Sequence, residues 1–275
     1  MNNLKSTRTL IVTVLIFVAA MLLLGLQFFS GIQLLIHRSM IKVEHPGDSS
    51  FPELEQLLKS VVKDGRVDYA SAKNSRLLED AVRRLEAISP DRIEAPRERL
   101  CFWINAYNLL VIKEIADRFP IKSVKQLGND PHLRKFLVGG MPYTLQEIHV
   151  NEIMPLLQGN PNAAFLICGG AVGHPQLMDH ALKGSSLQSD SEAAAQRFIR
   201  NPGNVNYNLE HSVVAISPWF IWYNSILSKK YGSSENLIDS YLTPQQQSVF
   251  EQSMVKKSFG KDFNWNINKR ESVKK

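Results

Sequence analysis

The sequence predicts an α+β protein: one mostly helical domain with a few short strands, preceded by a single N-terminal transmembrane helix. Three observations predict it. An uncharged apolar run lies near the start of the chain, and apolar residues recur at helical spacing in most segments that follow. Short alternating segments are scattered among those helices, and there is no internal repeat, which favours a single α+β domain.

The anchor is predicted at residues 10–36. Residues 10–29 carry no charged side chain, and at about 1.5 Å per residue a helix of this length crosses a hydrocarbon core of about 30 Å. A cleaved signal peptide is the alternative, but it would have a shorter apolar core followed by small residues at the cleavage site. The sequence before Ser30 fits such a site poorly.

The predicted anchor makes the lipid bilayer a partner of residues 10–36. Lys5 and Arg8 precede the run and Arg38 and Lys42 follow it, so the positive-inside rule gives a narrow preference for a cytoplasmic N-terminus at residues 1–9. Residues 37–50 are then a juxtamembrane linker, 51–268 a periplasmic or extracellular globular domain, and 269–275 a basic tail.

Net charge argues against nucleic acid as a partner. The chain carries +6 overall, but residues 51–268 hold 24 basic and 23 acidic side chains, a balance of +1. A nearly neutral body with basic ends lacks the positive surface that binds a phosphate backbone.

Three helices are predicted before residue 120, at 52–62, 74–88 and 96–119. Apolar side chains recur at i, i+3 and i+4 in the first two. Pro96 takes a first-turn position that tolerates proline, and the third helix ends before Pro120. A short extended piece at 66–70 separates the first two helices.

The middle of the chain alternates between helix and strand. A short helix is predicted from Asp130-Pro131 to Gly139-Gly140, and a capping-box pattern at 144–147 begins a helix to 157. Residues 163–168 read as a short apolar strand, and 191–200 as a helix. Residues 205–209 and 213–217 alternate as a hairpin.

The last part combines aromatic and helical patterns. Pro218 starts an aromatic helix to about 231, and Thr243-Pro244 starts another to about 257. Residues 263–267 alternate like a strand.

Two amides stand out on the apolar helix at 96–119. Asn105 and Asn108 are three residues apart and share a face, and a buried amide left unpaired costs about 1–3 kcal/mol. They either hold neighbouring loops, the reading we favour, or orient a catalytic group or ligand. If a ligand cleft exists, we expect Asn108, Tyr107, Trp222 and Trp265 to line it; for the aromatic residues, hydrophobic core is the alternative.

A thiol site is the enzymatic hypothesis. Cys168 would be the nucleophile and His174 or His149 the base that lowers its pKa. Asn105 would orient this base or stabilise an oxyanion. The alternative is a free cysteine in the core and a surface histidine. A metal site of Cys168, His149 and His174 has less support, because no recognised ligand motif is present, and we predict no metal and no cofactor.

Several segments together resemble the domain of unknown function 547 (DUF547) family, over about residues 51–268. The matching segments are VDY (67–69), FWINAYN (102–108), GG (139–140), YTLQEI (143–148), LICG (166–169), the aromatic block 219–223 and FNWNIN (263–268). The resemblance implies a fold and brings no agreed reaction.

The chain departs from the pattern of this family at three places. His149 stands where the family usually has a Glu, Ala163 or Ala164 where it has a His, and His174 where it has a second Cys. If those groups are the working parts of the family, only Cys168 remains here. We therefore expect a membrane-anchored binding or interaction module with an unknown protein or small-molecule partner; the alternative is a thiol-dependent hydrolase or transferase.

Overall fold

The computed structural model describes residues 51–128, 133–208, 213–253, 256–258 and 262–270. The predicted anchor at 10–36, its flanks and the linker to residue 50 lie outside the described residues, as does the tail at 271–275. Among the described residues, no helix is both long enough and apolar enough to cross a bilayer.

The described domain is mostly helical with short strands, as predicted. Its α-helices are α1 (Pro52–Val61), α2 (Tyr69–Lys73), α3 (Arg76–Ala87), α4 (Pro96–Arg118), α5 (Leu145–Glu147), α6 (Met154–Leu156), α7 (Leu187–Arg200), α8 (Trp219–Trp222), α9 (Asn224–Tyr231), α10 (Ser234–Tyr241) and α11 (Pro244–Ser253). A π-helical turn, Ile148–Ile153, joins α5 to α6, and 3₁₀ turns occupy Pro90–Arg92, Val124–Leu127, Leu157–Gly159 and Pro161–Leu166. The strands are β1 (Val62–Lys63), β2 (Arg66–Val67), β3 (Phe136–Val138), β4 (Met141–Tyr143), β5 (Val205–Asn208), β6 (Val213–Ile216) and β7 (Lys256–Ser258).

The strands form three small sheets. Strands β1 and β2 pair antiparallel, as do β3 and β4. In the third sheet β6 lies between β5, its antiparallel partner, and β7, which runs parallel to it. The predicted hairpin at 205–217 is confirmed.

Helix α4 is the centre of the core. Its residues from Leu100 to Ala116 are buried apart from Tyr107 and Lys113, and it packs against α2, α3 and the π-helical turn. A helix that is apolar all round must be enclosed by other elements. The helix predicted at 96–119 is therefore confirmed, with bounds Pro96–Arg118.

Several segments differ from their predictions. Helix α2 (Tyr69–Lys73) begins inside the piece predicted as extended, and β7 (Lys256–Ser258) lies where the last helix was predicted to end. Residues 161–166 form a 3₁₀ helix instead of the predicted strand. The run from Pro161 to Cys168 is buried throughout, and a short run buried on every side has no periodicity that separates strand from helix.

The predicted helix that ends at Gly139-Gly140 is also wrong over residues 134–140, although residue 133 is helical. Residues 136–143 form the hairpin β3–β4, in which Val138 pairs with Met141. Gly139 and Gly140 have φ of 56° and 75°, and a two-residue hairpin turn with positive φ at both positions favours glycine. The two glycines therefore favour a hairpin over a helix in this segment.

The two α4 amides hold loops, the reading that the sequence favoured. The Asn105 side chain donates to the Leu182 carbonyl and accepts from the Leu182 N–H, both at 2.9 Å. The Asn108 side chain donates to the Leu166 carbonyl and accepts from the Cys168 N–H, again at 2.9 Å. Each amide thus pairs with one carbonyl and one N–H of a neighbouring segment that has no strand partner, among the described residues, to bond these groups.

We predict that Asn108→Ala destabilises the domain by about 2–4 kcal/mol, because it leaves a buried carbonyl and a buried N–H unpaired. Chemical denaturation followed by tryptophan fluorescence measures the loss. Gln245→Ala, which removes an exposed amide from α11, is the control and should change stability little. An Asn108→Ala variant as stable as this control would contradict the role given to the amide.

Candidate functional site

A cleft of about 320 Å³ opens beside α4. It is lined by Tyr107, Val111, Glu114, Val124, Lys125, Leu127, Gly128, Leu145, Gln146, His149, Gly169, His174 and Trp265. Lys125, Gly128 and Gln146 are its exposed residues and define the mouth of the cleft. A volume of this order fits a small-molecule ligand.

The capping box at the start of α5 sets one wall. The Thr144 hydroxyl accepts from the Glu147 N–H at 3.1 Å, and the Glu147 carboxylate accepts from the Thr144 N–H at 2.7 Å. This reciprocal cap was predicted from the sequence. It fixes the direction of the helix that carries Gln146 and His149 into the cleft.

A C-terminal strap, residues 262–270, closes the opposite wall. It makes isolated bridges with three distant parts of the chain, Asn266 with Ser123, Ile267 with Ala171 and Lys269 with Val67. The Ser123 hydroxyl donates to the Trp265 carbonyl at 2.8 Å. Trp265 is thereby held at the cleft, where Lys125 Nζ lies 5.3 Å from its ring centroid.

His149 lies on the π-helical turn and is partly buried. Its Nε2 hydrogen-bonds the Tyr223 hydroxyl at 2.9 Å, and its ring lies 5.9 Å from that of Tyr107. Burial lowers the pKa of His149, so the imidazole is neutral at pH 7.

His174 lies on the far side of the cleft, against the backbone of Gly169. A Cβ built at residue 169 would come within 2.5 Å of the imidazole, so a larger residue there would displace the histidine. Burial, together with the nearby His149, lowers the pKa of His174 to about 4. Its Nδ1 is buried and has no hydrogen-bond partner among the described residues.

Cys168 lies behind the cleft and does not line it. The residue is buried, and its Sγ has Asn268 Nδ2 as a weak donor at 3.5 Å. Burial raises the pKa of the thiol to about 11. Among the described residues, neither His149 nor His174 hydrogen-bonds the sulfur, and the Asn105 amide pairs with the backbone of Leu182 and with neither histidine. The described residues thus give the thiol hypothesis no base and no orienting amide.

The aromatic block at 219–223 divides between core and surface. Trp219 and Phe220 are fully buried, whereas the Trp222 side chain is 44% exposed. Trp222 does not line the cleft, but its ring lies 4.8 Å from Phe263 and 6.0 Å from Trp265. The predicted helix is interrupted at Tyr223, between α8 and α9.

The described residues contain no group of three or more His, Cys, Asp or Glu side chains placed to share a metal ion. Cys168, His149 and His174 therefore do not form the ligand set that the sequence allowed as a weaker alternative.

A family model described as "Protein of unknown function, DUF547" matches residues 91–199. No curated protein and no solved structure matches the chain. The matched region runs from before α4 to near the end of α7 and carries most of the cleft lining, including Tyr107, His149 and His174. Trp265 lies outside it.

The sequence identified part of this cleft. His149 and His174, the two histidines that the sequence singled out, both line it, together with Tyr107 and Trp265. Lys125 and Gln146 were missed because isolated polar residues on a surface turn or helix carry no motif. Asn268 was noted only as part of the closing FNWNIN run, and its hydrogen bonds to Tyr69 and Cys168 join residues far apart in sequence.

We predict that Cys168 in the native protein resists iodoacetamide at about pH 8. With a pKa near 11, about one thiol in a thousand is ionised at that pH, and the sulfur is buried. Mass spectrometry should find Cys168 and Cys101 unmodified in the native protein and both modified in concentrated guanidinium chloride. Rapid native labelling of Cys168, with Cys101 as the internal control, would instead favour the thiol hypothesis.

Proposed function

We propose that this chain is a membrane-tethered binding module whose cleft takes up a small, largely apolar ligand. The observation that carries the proposal is the pairing of an apolar and aromatic wall with imidazoles that retain hydrogen-bonding capacity. Such a combination, a mostly apolar cavity with a few convergent polar groups, is typical of small-molecule sites.

The cleft interior offers hydrogen bonds without charge. His149 and His174 are neutral at pH 7 because burial lowers their pKa values, and a neutral imidazole has one donor and one acceptor nitrogen. The one lining carboxylate, that of Glu114, is fully buried and pairs with Arg118 and Arg134. A ligand would therefore meet apolar surface and neutral polar groups.

Binding is favoured over catalysis by the surroundings of Cys168. A nucleophilic thiol needs a base within hydrogen-bond reach, and the described residues provide none. The tether rests on the sequence: the uncharged run at 10–29 fits a membrane span. The positive-inside preference then puts the binding domain on the periplasmic or extracellular side.

The tether predicts that the full chain remains in the membrane fraction after an alkaline carbonate wash. Replacing both Leu15 and Leu23 by Arg should release it, because each charge at the centre of a span costs about 2.5–3.5 kcal/mol on insertion scales. Leu4→Arg, which lies outside the run, is the control and should stay with the membrane. Recovery of the unaltered chain in the soluble fraction, or its cleavage near residue 30, would refute the tether.

The cleft predicts binding of an uncharged aromatic probe, 6-fluoro-2-naphthamide, by the full chain in dodecyl maltoside micelles. Fluorine NMR relaxation of the probe reports binding. Gln146→Trp puts an indole at the mouth and should weaken binding at least tenfold. Gln245→Trp makes the same change at an exposed site on α11 and should have no effect.

The two Trp variants also correct for partition of the probe into micelles, since the micelle is the same in each sample. Equal binding by the Gln146→Trp variant and the unaltered chain would show that the cleft is not a ligand site. Equal denaturation midpoints for the two variants would exclude misfolding as the cause of a loss.

A further inference from the structure

The charge distribution around the cleft points to the class of its ligand. We propose that the cleft binds a small amphipathic anion, whose apolar or aromatic body lies along Val111, Leu145 and Trp265 and whose carboxylate or similar anionic head lies at Lys125. This inference rests on the proposed function and goes one step further, from a generic apolar ligand to an anionic one.

Lys125 carries a positive charge at the mouth of the cleft. It is exposed at the mouth of the cleft, on the 3₁₀ turn Val124–Leu127, and its Nζ lies 5.3 Å from the Trp265 ring centroid. That position places the ammonium group where the apolar wall meets solvent. Among the described residues no carboxylate forms an ion pair with Lys125, so its charge is available to a ligand.

The start of the turn that carries Lys125 is held by hydrogen bonds, so the backbone position of the lysine is set by the fold. The Ser123 hydroxyl accepts from the Lys125 N–H at 3.3 Å and donates to the Trp265 carbonyl at 2.8 Å. The Gln126 side chain accepts from the N–H groups of Lys122 and Ser123. The same strap thus holds both the ammonium group and the ring beneath it.

The other charges near the cleft do not oppose an anion. The Glu114 carboxylate is fully buried and is shared between Arg118 and Arg134. Asp117, which does not line the cleft, pairs with Lys113 and Arg134. These two carboxylates are therefore compensated inside the protein, whereas Lys125 leaves a positive charge at the mouth.

The neutral groups of the interior also suit an anion. His149 and His174 add no charge to the interior, because burial lowers their pKa values, so neither competes with Lys125 for the anionic head. A ligand with an ammonium group would instead meet Lys125, which would repel it. Trp265 offers a face to a cation, but Lys125 already occupies that position.

Three probes of one shape test the inference on the full chain in dodecyl maltoside micelles. They are 6-fluoro-2-naphthoate, the uncharged 6-fluoro-2-naphthamide and the cationic 6-fluoro-2-naphthylmethylamine, each followed by fluorine NMR relaxation. We expect the naphthoate to bind about twofold to fivefold more tightly than the amide at low salt, in the range of an exposed ion pair. The amine should bind more weakly than the amide, and added salt should reduce the advantage of the naphthoate.

Lys125→Gln should abolish the preference for naphthoate over naphthamide. Lys122→Gln is the matched control, because Lys122 is an exposed lysine three residues away that does not line the cleft. It should keep the preference. Retention of the anionic preference in the Lys125→Gln variant, or tighter binding of the amine than of the naphthoate, would overturn the inference.

The same experiment separates failure of the inference from failure of the proposed function. If Gln146→Trp weakens the binding of none of the three probes, the cleft is not a ligand site and the proposed function fails. If naphthamide binding is lost in Gln146→Trp but naphthoate has no advantage over it, the cleft binds ligands and only the anionic preference is wrong.

Discussion

The hydrogen bonds of two buried amides are the constraint on which the rest of the structure depends. Helix α4 is apolar almost all round over its buried length, and Asn105 and Asn108 are two buried amides that it directs at neighbouring loops. Asn108 binds the carbonyl of Leu166 and the N–H of Cys168, so it fixes the end of the 3₁₀ helix and the residues that follow. Gly169 comes next, and His174 packs directly on its backbone. Asn108 does not line the cleft, but the positions of Gly169 and His174, which do line it, depend on its hydrogen bonds.

Burial then determines which chemistry the cleft supports. The same desolvation that raises the pKa of the Cys168 thiol lowers the pKa values of His149 and His174, because removal from water disfavours the charged form of each group. A thiol and an imidazole that are both neutral, and that share no hydrogen bond among the described residues, lack the ion pair of a thiol nucleophile. Neutral imidazoles in an apolar cavity are instead suited to orienting a ligand. The electrostatics thus favour binding.

The sequence predicts the local features of the fold better than the contacts that build the cleft. Helix α4, the Thr144 cap and the β5–β6 hairpin follow from periodicity, capping and alternation. The strand predicted at 163–168 failed because that run is buried on every side, and the helix predicted up to Gly139-Gly140 failed because two glycines form a hairpin turn. Within the site, His149, His174, Tyr107 and Trp265 were identified individually. Their convergence depends on the Ser123–Asn266 and Ala171–Ile267 bridges, which join segments too far apart for any local pattern to reveal.

The two walls of the cleft consequently come from different parts of the chain. Tyr107, His149 and His174 lie inside the matched region at 91–199, whereas Trp265 reaches the cleft on a strap of nine residues beyond it. Bridges at Val67, Ser123 and Ala171 spread the attachment of this strap over three separate elements, so displacing one contact leaves two that hold the ring in place. Lys125 depends on the same strap, since Trp265 lies under its ammonium group and Ser123 contacts both residues. The apolar wall and the positive mouth are therefore one structural unit, and a change in the strap would alter the shape and the charge of the cleft together.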